Sequence, residues 1–204
     1  LPGPILMQLK LVTRFNAYRQ IHFPKTPVEY DDAVKRLKFE ELFIAQLRMN
    51  LLRSQRHRFS KGVVFDKVGD LFNEFYKNHL PFELTGAQKR VIKEIRNDTA
   101  KGKQMNRLLQ GDVGSGKTIV AVLIMLLAVD NDFQACLMAP TEILAQQHFK
   151  TINSSLEKID VPVRLLTGST KAAERKKILK GLEEGSLKIL IGTHAVIEDV
   201  VKFN

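Results

Sequence analysis

The chain has 204 residues and carries 32 Lys and Arg against 22 Asp and Glu, a formal net charge of +10 at pH 7. Its 44% hydrophobic and 26% charged content is that of a globular protein and excludes a disordered chain. The longest wholly apolar run, Ile119 to Val129, is too short for a bilayer span of about 20 residues, and the single cysteine, Cys136, excludes an internal disulfide.

The lone cysteine fits a reducing, cytosolic compartment. The basic balance suits a polyanionic partner, although charges such as Lys35, Arg36 and Lys38 recur along helical periods, where solvated helix faces account for them. Leu1-Pro2-Gly3-Pro4 and Lys202-Phe203-Asn204 read like the interior of a longer protein, so the chain is expected to be a piece of one.

Residues 1 to about 28 are mixed in character, with prolines at 2, 4, 24 and 27. One long helix is predicted from Tyr30 to about Arg58, with Asp31 and Asp32 near its positive end and Leu37, Leu42, Phe43, Leu47 and Leu51 forming an apolar stripe. Arg48, Arg53, Arg56 and Arg58 crowd its other end as a solvated, dipole-matched terminus. A second helix is expected from Asp66 to His79, with Leu71, Phe72 and Phe75 inward and Pro81 ending it. Thr85 reads as the N-cap of a third helix reaching about Ala100.

Beyond Gly102, short apolar runs alternate with helical patterns. Strands are predicted at Arg107–Gln110, Ala135–Met138, Val163–Leu166 and Lys188–Ile191. Helices are predicted from Lys117 to Val129, Thr141 to Ser155 and Thr170 to Glu184, with a short one from His194 to Val200. Cys136 falls within a strand and reads as an inert core residue. Strand–helix alternation with unbroken apolar strands implies an α/β fold, a parallel sheet covered by helices on both faces.

Gly111-Asp112-Val113-Gly114-Ser115-Gly116-Lys117-Thr118 fits the phosphate-binding pattern G-x-x-x-x-G-K-[ST] at every fixed position. Glycines there allow successive backbone N–H groups to converge on phosphate oxygens, and the following helix adds its positive end. Lys117 would reach the β- and γ-phosphates, and the Thr118 hydroxyl would hold Mg²⁺. A chance glycine-rich turn is the alternative; an apolar run before it and a strongly apolar helix after it argue for the nucleotide site.

Three further stretches bear on what the nucleotide drives. In Pro81 to Gln88, an aromatic ring (Phe82) could stack on adenine and an amide (Gln88) could pair with its edge; the plain alternative is a core phenylalanine and a surface glutamine. Met138-Ala139-Pro140-Thr141-Glu142 follows a strand, at the sheet edge where ligands bind, and Thr141 could donate to a phosphate or simply cap a helix. Leu166-Thr167-Gly168-Ser169 and Ile191-Gly192-Thr193-His194 end two further strands on that edge, as a sugar-phosphate grip or as ordinary turns.

In order and spacing, these stretches resemble the first motor domain of superfamily 2 helicases. The residues carrying the likeness are Leu84-Thr85 with Gln88, Gly111 to Thr118, Ala139-Pro140-Thr141-Glu142 with Leu144 to His148, Thr167-Gly168-Ser169, and Ile191 to Ala195. Tyr18-Arg19-Gln20-Ile21-His22-Phe23-Pro24 and Arg36 to Phe43 are similar to the segment that joins wedge and motor in RecG-type DNA helicases, so the resemblance spans nearly the whole chain. It implies a RecA-like P-loop NTPase sheet, truncated and preceded by a helical segment. Residues 1–65 would be the linker from a DNA-binding wedge domain, and 66–204 the first part of the motor.

The resemblance also implies ATP hydrolysis coupled to movement on duplex DNA and to remodelling of stalled forks and Holliday junctions. ATP and Mg²⁺ would be held by Gly111, Asp112, Val113, Gly114, Ser115, Gly116, Lys117 and Thr118, with Phe82 and Gln88 facing adenine. Pro140, Thr141, Gly168, Thr193 and His194 would track DNA. Single-strand-binding protein is a candidate partner, the intact protein is expected to be a monomer, and the bacterial cytosol and nucleoid its place. The family's acidic Walker B motif should follow the Thr193-His194 region, and Glu198 and Asp199 do not sit on an apolar strand end to supply it. The 204 residues alone are therefore expected to hydrolyse essentially no ATP. The alternatives are the motor of a transcription–repair coupling factor, which has a very similar motor, and a P-loop small-molecule kinase.

Overall fold

The computed structural model describes residues 1–59, 61–102 and 104–204, and its contacts divide the chain into two units, Leu1–Ser60 and Lys61–Asn204. Gly62 N–H donates to the Gly102 carbonyl at 2.9 Å and Phe65 N–H to the Thr99 carbonyl at 3.2 Å, which ties residues 62–65 to the second unit.

In the first unit, the stretch read as mixed contains two helices, α1 (Gly3–Gln8) and α2 (Arg14–His22), before the long α3 (Pro27–Phe59). The prolines do not oppose them. Pro2 and Pro4 fall at the start of α1, where a missing N–H costs nothing. The Thr13 hydroxyl caps α2 by accepting from Asn16 N–H at 3.3 Å. For α3, the Thr26 hydroxyl accepts from Glu29 N–H at 3.2 Å while the Glu29 carboxylate accepts from Lys25 N–H at 2.8 Å, so the helix begins three residues before Tyr30.

Helices α2 and α3 pack together, with Ala17 and Ala33 fully buried. Arg36 is a correction to the reading of its charge as solvated: it is only 1% exposed. Its Nε donates to the Val12 carbonyl at 3.0 Å and a terminal guanidinium nitrogen to Glu40 at 2.7 Å. The apolar stripe of α3 is uneven, with Leu37 and Phe43 half-buried and Leu42, Leu47 and Leu51 exposed. Arg48 and Arg53 are exposed; the side chains of Arg56 and Arg58 lie outside the described residues.

The second unit opens with an extended stretch instead of helix at Asp66. Asn131 Oδ1 accepts from Lys67 N–H at 3.0 Å and its amide donates to the Lys67 carbonyl at 2.9 Å, holding the backbone out of helical form. Helix α4 (Asp70–Glu74) then starts where the Asp130 carboxylate accepts from Leu71 and Phe72 N–H at 3.1 and 3.0 Å. It runs on as a π-helical turn, Phe75–His79, and Phe72 and Phe75 are buried as expected. Helix α5 (Gly86–Thr99) follows with the Thr85 cap predicted for it.

Helix α6 (Lys117–Asp130) is the hub of the core. Val120, Val122, Leu123, Leu126 and Leu127 are all within 2% of full burial. Each large apolar side chain taken from water here contributes about 1.5–3 kcal/mol to the unit's stability. Strand β1 (Ala135–Met138), α7 (Glu142–Leu156), β2 (Val163–Leu166), α8 (Ala172–Glu183) and β3 (Ile189–Gly192) complete the order, and a 3₁₀ turn, His194–Ile197, follows.

The sheet is parallel in the order β1-β3-β2. Central β3 is buried at every position, as a strand covered on both faces must be. Ile189 and Ile191 join the core of α4 to α7, while Leu190 packs with Ile178 and Leu182 of α8 and Val196 beyond β3. The α/β architecture with helices on both faces is thus present.

Two expectations fail here. Arg107–Gln110 is not a strand: it pairs with no strand among the described residues, and Leu108 is 89% exposed. Arg107 is instead drawn to α5, donating to Asp98 at 2.5 Å and Glu94 at 2.8 Å. Cys136 lies in β1 but is exposed rather than in the core. Its strand is an edge strand whose alternate residues, Cys136 and Met138, face the less covered side.

Candidate nucleotide and nucleic-acid sites

The phosphate-binding loop is shaped by its glycines. Gly114 and Gly116 have φ of 81° and 76°, a left-handed conformation that side chains resist. Gly116 is also blocked: a Cβ there would fall 2.3 Å from Gln88 Nε2 and 3.4 Å from Phe82 Cζ. It is the N-cap of α6, and no side chain caps that helix. The first N–H groups of a 14-residue helix are therefore left to an anion, which the helix dipole favours.

Lys117 folds back over the loop, its Nζ donating to the Gly111 and Asp112 carbonyls at 2.8 and 2.7 Å. Thr118 is half-buried in the first turn of α6. A cleft of about 330 Å³ opens beside the loop, lined by Thr85, Gln88, Val91, Leu109, Gly111 and Lys117 among others. Uncapped amides, left-handed glycines and a lysine beside one cleft form a cradle that fits a nucleotide's phosphates.

Phe82 and Gln88 are the reverse of their plain alternative. Phe82 is 48% exposed and Gln88 buried. Both polar atoms of the Gln88 amide are engaged. Oε1 accepts from Thr85 N–H at 2.8 Å, closing a reciprocal capping box with the Thr85 hydroxyl, and Nε2 donates to the Ser115 carbonyl at 2.9 Å. The amide placed opposite adenine by resemblance is here a fastener between α5 and the loop.

The strand ends form a second region. The register pairs both Met138 and Leu166 with Gly192, so β1, β2 and β3 stop in one row. Backbone bonds extend the row, from Ala139 N–H to the Gly192 carbonyl at 2.8 Å and from Thr193 N–H to the Leu166 carbonyl at 3.3 Å. The row brings together the loops holding Pro140, Thr141, Gly168, Thr193 and His194. Pro140, Thr141, Gly168 and His194 are exposed, whereas Thr193 is buried.

Thr141 serves as the N-cap of α7, its hydroxyl accepting from Leu144 N–H at 3.3 Å, which leaves the hydroxyl proton to donate. Glu142 is not among the site residues expected from sequence, yet its carboxylate reaches across to Thr167 and Ser169. Its signal was an acid one residue beyond a threonine cap, in a run read only for its likeness. Glu198 pairs with Arg175 at 2.5 Å. Among the described residues, no group of three or more His, Cys, Asp or Glu could hold a metal ion, and no helix is long and apolar enough to cross a membrane.

A family model described as DEAD/DEAH box helicase matches residues 85–204. The ATP-dependent DNA helicase RecG of Streptococcus pneumoniae is 44% identical over 203 residues, covering 100% of this chain and 30% of that protein. RecG of Thermotoga maritima is 46% identical over 203 residues, covering 100% of this chain and 26% of its own length. A solved structure of RecG bound to a three-way DNA junction superposes with a TM-score of 0.84 at 45% identity, covering 100% of this chain and 28% of that one. The chain spans less than a third of the length of these relatives.

Proposed function

Since the chain belongs to the DEAD/DEAH box helicase family, we propose that it is part of a RecG-type helicase that uses ATP to move on duplex DNA and remodel branched DNA. Residues 66–204 would be the ATP-binding part of the first motor domain, and residues 1–65 the linker that connects it to a DNA-binding wedge. The single observation that carries this reading is the common row of strand ends, with Met138 and Leu166 both in register with Gly192. That row sets three loops rich in hydroxyls and main-chain N–H groups side by side in a motor-family sheet, a surface suited to a sugar-phosphate backbone.

Nucleotide chemistry belongs to the other region. The amides at the start of α6 and Lys117 would hold the phosphates of ATP, and Lys117 would leave the Gly111 and Asp112 carbonyls to do so. Mg²⁺ would arrive with the phosphates and be held in part by the Thr118 hydroxyl, neutralising charge on the β- and γ-oxygens. By the family likeness Phe82, with its exposed ring, and Gln88 would face adenine. By the same likeness, the intact protein would act as a monomer in the bacterial cytosol, on branched DNA, with single-strand-binding protein as a further partner.

The test is binding and unwinding of a three-way DNA junction by the intact protein, with Lys117→Ala alongside. ATP-dependent unwinding of the junction, lost in Lys117→Ala while junction binding persists, supports the reading. Unwinding of duplex RNA in preference to the DNA junction overturns it.

A further inference from the structure

Glu142 is an acid at the first residue of α7, between two loops proposed to follow a polyanion. Its Oε1 accepts from the Thr167 hydroxyl at 3.2 Å and from the Ser169 hydroxyl through a short hydrogen bond. Thr167 and Ser169 follow β2, so these bonds cross from the end of β1 to the end of β2, over positions 25 and 27 residues apart in sequence. Thr167 is 2% exposed, and its hydroxyl lies 3.1 Å from that of Ser169. The Thr170 hydroxyl closes the turn by accepting from Thr167 N–H at 2.9 Å.

The arrangement satisfies a carboxylate with local hydroxyl donors and with the positive end of α7. It also determines which groups are left facing outward. The Thr141 hydroxyl uses its lone pair for the helix cap and keeps its proton for donation, while Gly168 stands exposed at the tip of the tied loop. We infer that Glu142 is a positioning residue: its carboxylate fastens the Thr167–Ser169 loop to the start of α7, fixing the spacing between Thr141 and Gly168 so that both meet one DNA backbone. This rests on the proposed reading of the strand-end row as the DNA-tracking surface. Glu142 itself makes no phosphate contact, since a carboxylate repels that group.

The test compares Glu142→Ala with Glu142→Gln in the intact protein. Gln keeps an oxygen acceptor at the same reach and loses the charge, whereas Ala loses the fastening. Three readouts separate the outcomes: the concentration of duplex DNA giving half-maximal ATPase stimulation, KM for ATP, and amide hydrogen exchange at Thr167 and Thr170. Glu142→Ala should raise the DNA concentration about tenfold, leave KM for ATP within about twofold, and speed exchange at both amides; Glu142→Gln should match wild type in all three readouts. Wild-type DNA dependence in Glu142→Ala overturns the inference while leaving the DNA-tracking surface standing. Equal impairment in Glu142→Gln and Glu142→Ala also overturns it, because charge rather than fastening would then be at work. A wild-type protein whose ATPase ignores DNA removes the underlying reading itself.

Discussion

Gln88 and Ser115, 27 positions apart, are joined by a 2.9 Å hydrogen bond from the glutamine amide to the main-chain carbonyl of the phosphate-binding loop. The same side chain caps α5 through its other atom. Start of helix and loop are thus held by one amide. Gln88→Glu keeps the capping acceptor and loses the donor; Gln88→Ala loses both. Gln88→Ala should cost about 1–2 kcal/mol of unfolding free energy, the worth of a cap and a part-buried hydrogen bond. Both variants should bind inorganic tripolyphosphate about tenfold more weakly, since a contact to adenine has no part in that probe. Wild-type tripolyphosphate binding by Gln88→Glu would show that the fastening does not shape the loop.

Gly192 and Gly168 predict opposite tolerance. A Cβ at Gly192 would lie 2.0 Å from the Leu166 carbonyl oxygen and 2.6 Å from Val196 Cγ1, in the buried centre of the sheet. Neither the backbone carbonyl nor the packed valine can yield cheaply. Gly192→Ala should destabilise the fold by about 3 kcal/mol in urea unfolding. At Gly168 a Cβ meets nothing within 4 Å, so Gly168→Ala should fall within about 0.5 kcal/mol of wild type. Equal stability of the two variants would contradict the close approach at β3.

Arg36 is the buried charge of the first unit. Arg36→Ala strands the Val12 carbonyl and the Glu40 carboxylate together. The expected loss is about 3 kcal/mol in denaturant unfolding followed by helical circular dichroism. Arg53→Ala, on the exposed part of α3, should change little. A loss below about 1 kcal/mol for Arg36→Ala would mean that the α2–α3 seam does not depend on the pair.

Cys136 is exposed, yet desolvation pushes its thiol up to about 11. A raised pKa favours the protonated thiol, so the reactive thiolate is scarce at neutral pH. Its alkylation by iodoacetamide should be slow at pH 7.5 and rise about tenfold per pH unit until the pH nears its pKa. A rate that levels off between about pH 9 and 10 would show an ordinary surface thiol.

Much of the motor-like sheet was legible because each signal was local. Alternation of short apolar runs with helical patterns located β1, β2 and β3, and the glycine spacing located the loop before α6. The Thr85 cap was legible for the same reason. What escaped was non-local. The strand expected at Arg107–Gln110 needed a neighbour to pair with, and apolarity at Leu108 and Leu109 could not supply one. Asp130 and Asn131 delay α4 from 58 to 64 residues away, a distance at which no periodicity informs. Arg36 read as surface charge because its local partner Glu40, four residues on, fits a solvated helix face, while the Val12 carbonyl, 24 residues away, becomes a neighbour only once the chain folds back on α3. Glu142 was hidden likewise, its hydroxyl partners lying beyond another strand. The N-terminal helix starts are a different case: Thr13 for α2, and Thr26 with Glu29 for α3, were readable caps masked by the surrounding prolines, whereas α1 has no side-chain cap to read.

The central claim, an ATP-driven DNA motor, is tested most directly by the steady-state ATPase rate of the intact protein. The rate is measured alone, with linear duplex DNA, with a model fork and with single-stranded RNA, using Lys117→Ala as the blank. The account predicts strong stimulation by DNA, greater with the fork than with linear duplex, and none in Lys117→Ala. A rate that is the same with every nucleic acid and with none would contradict it.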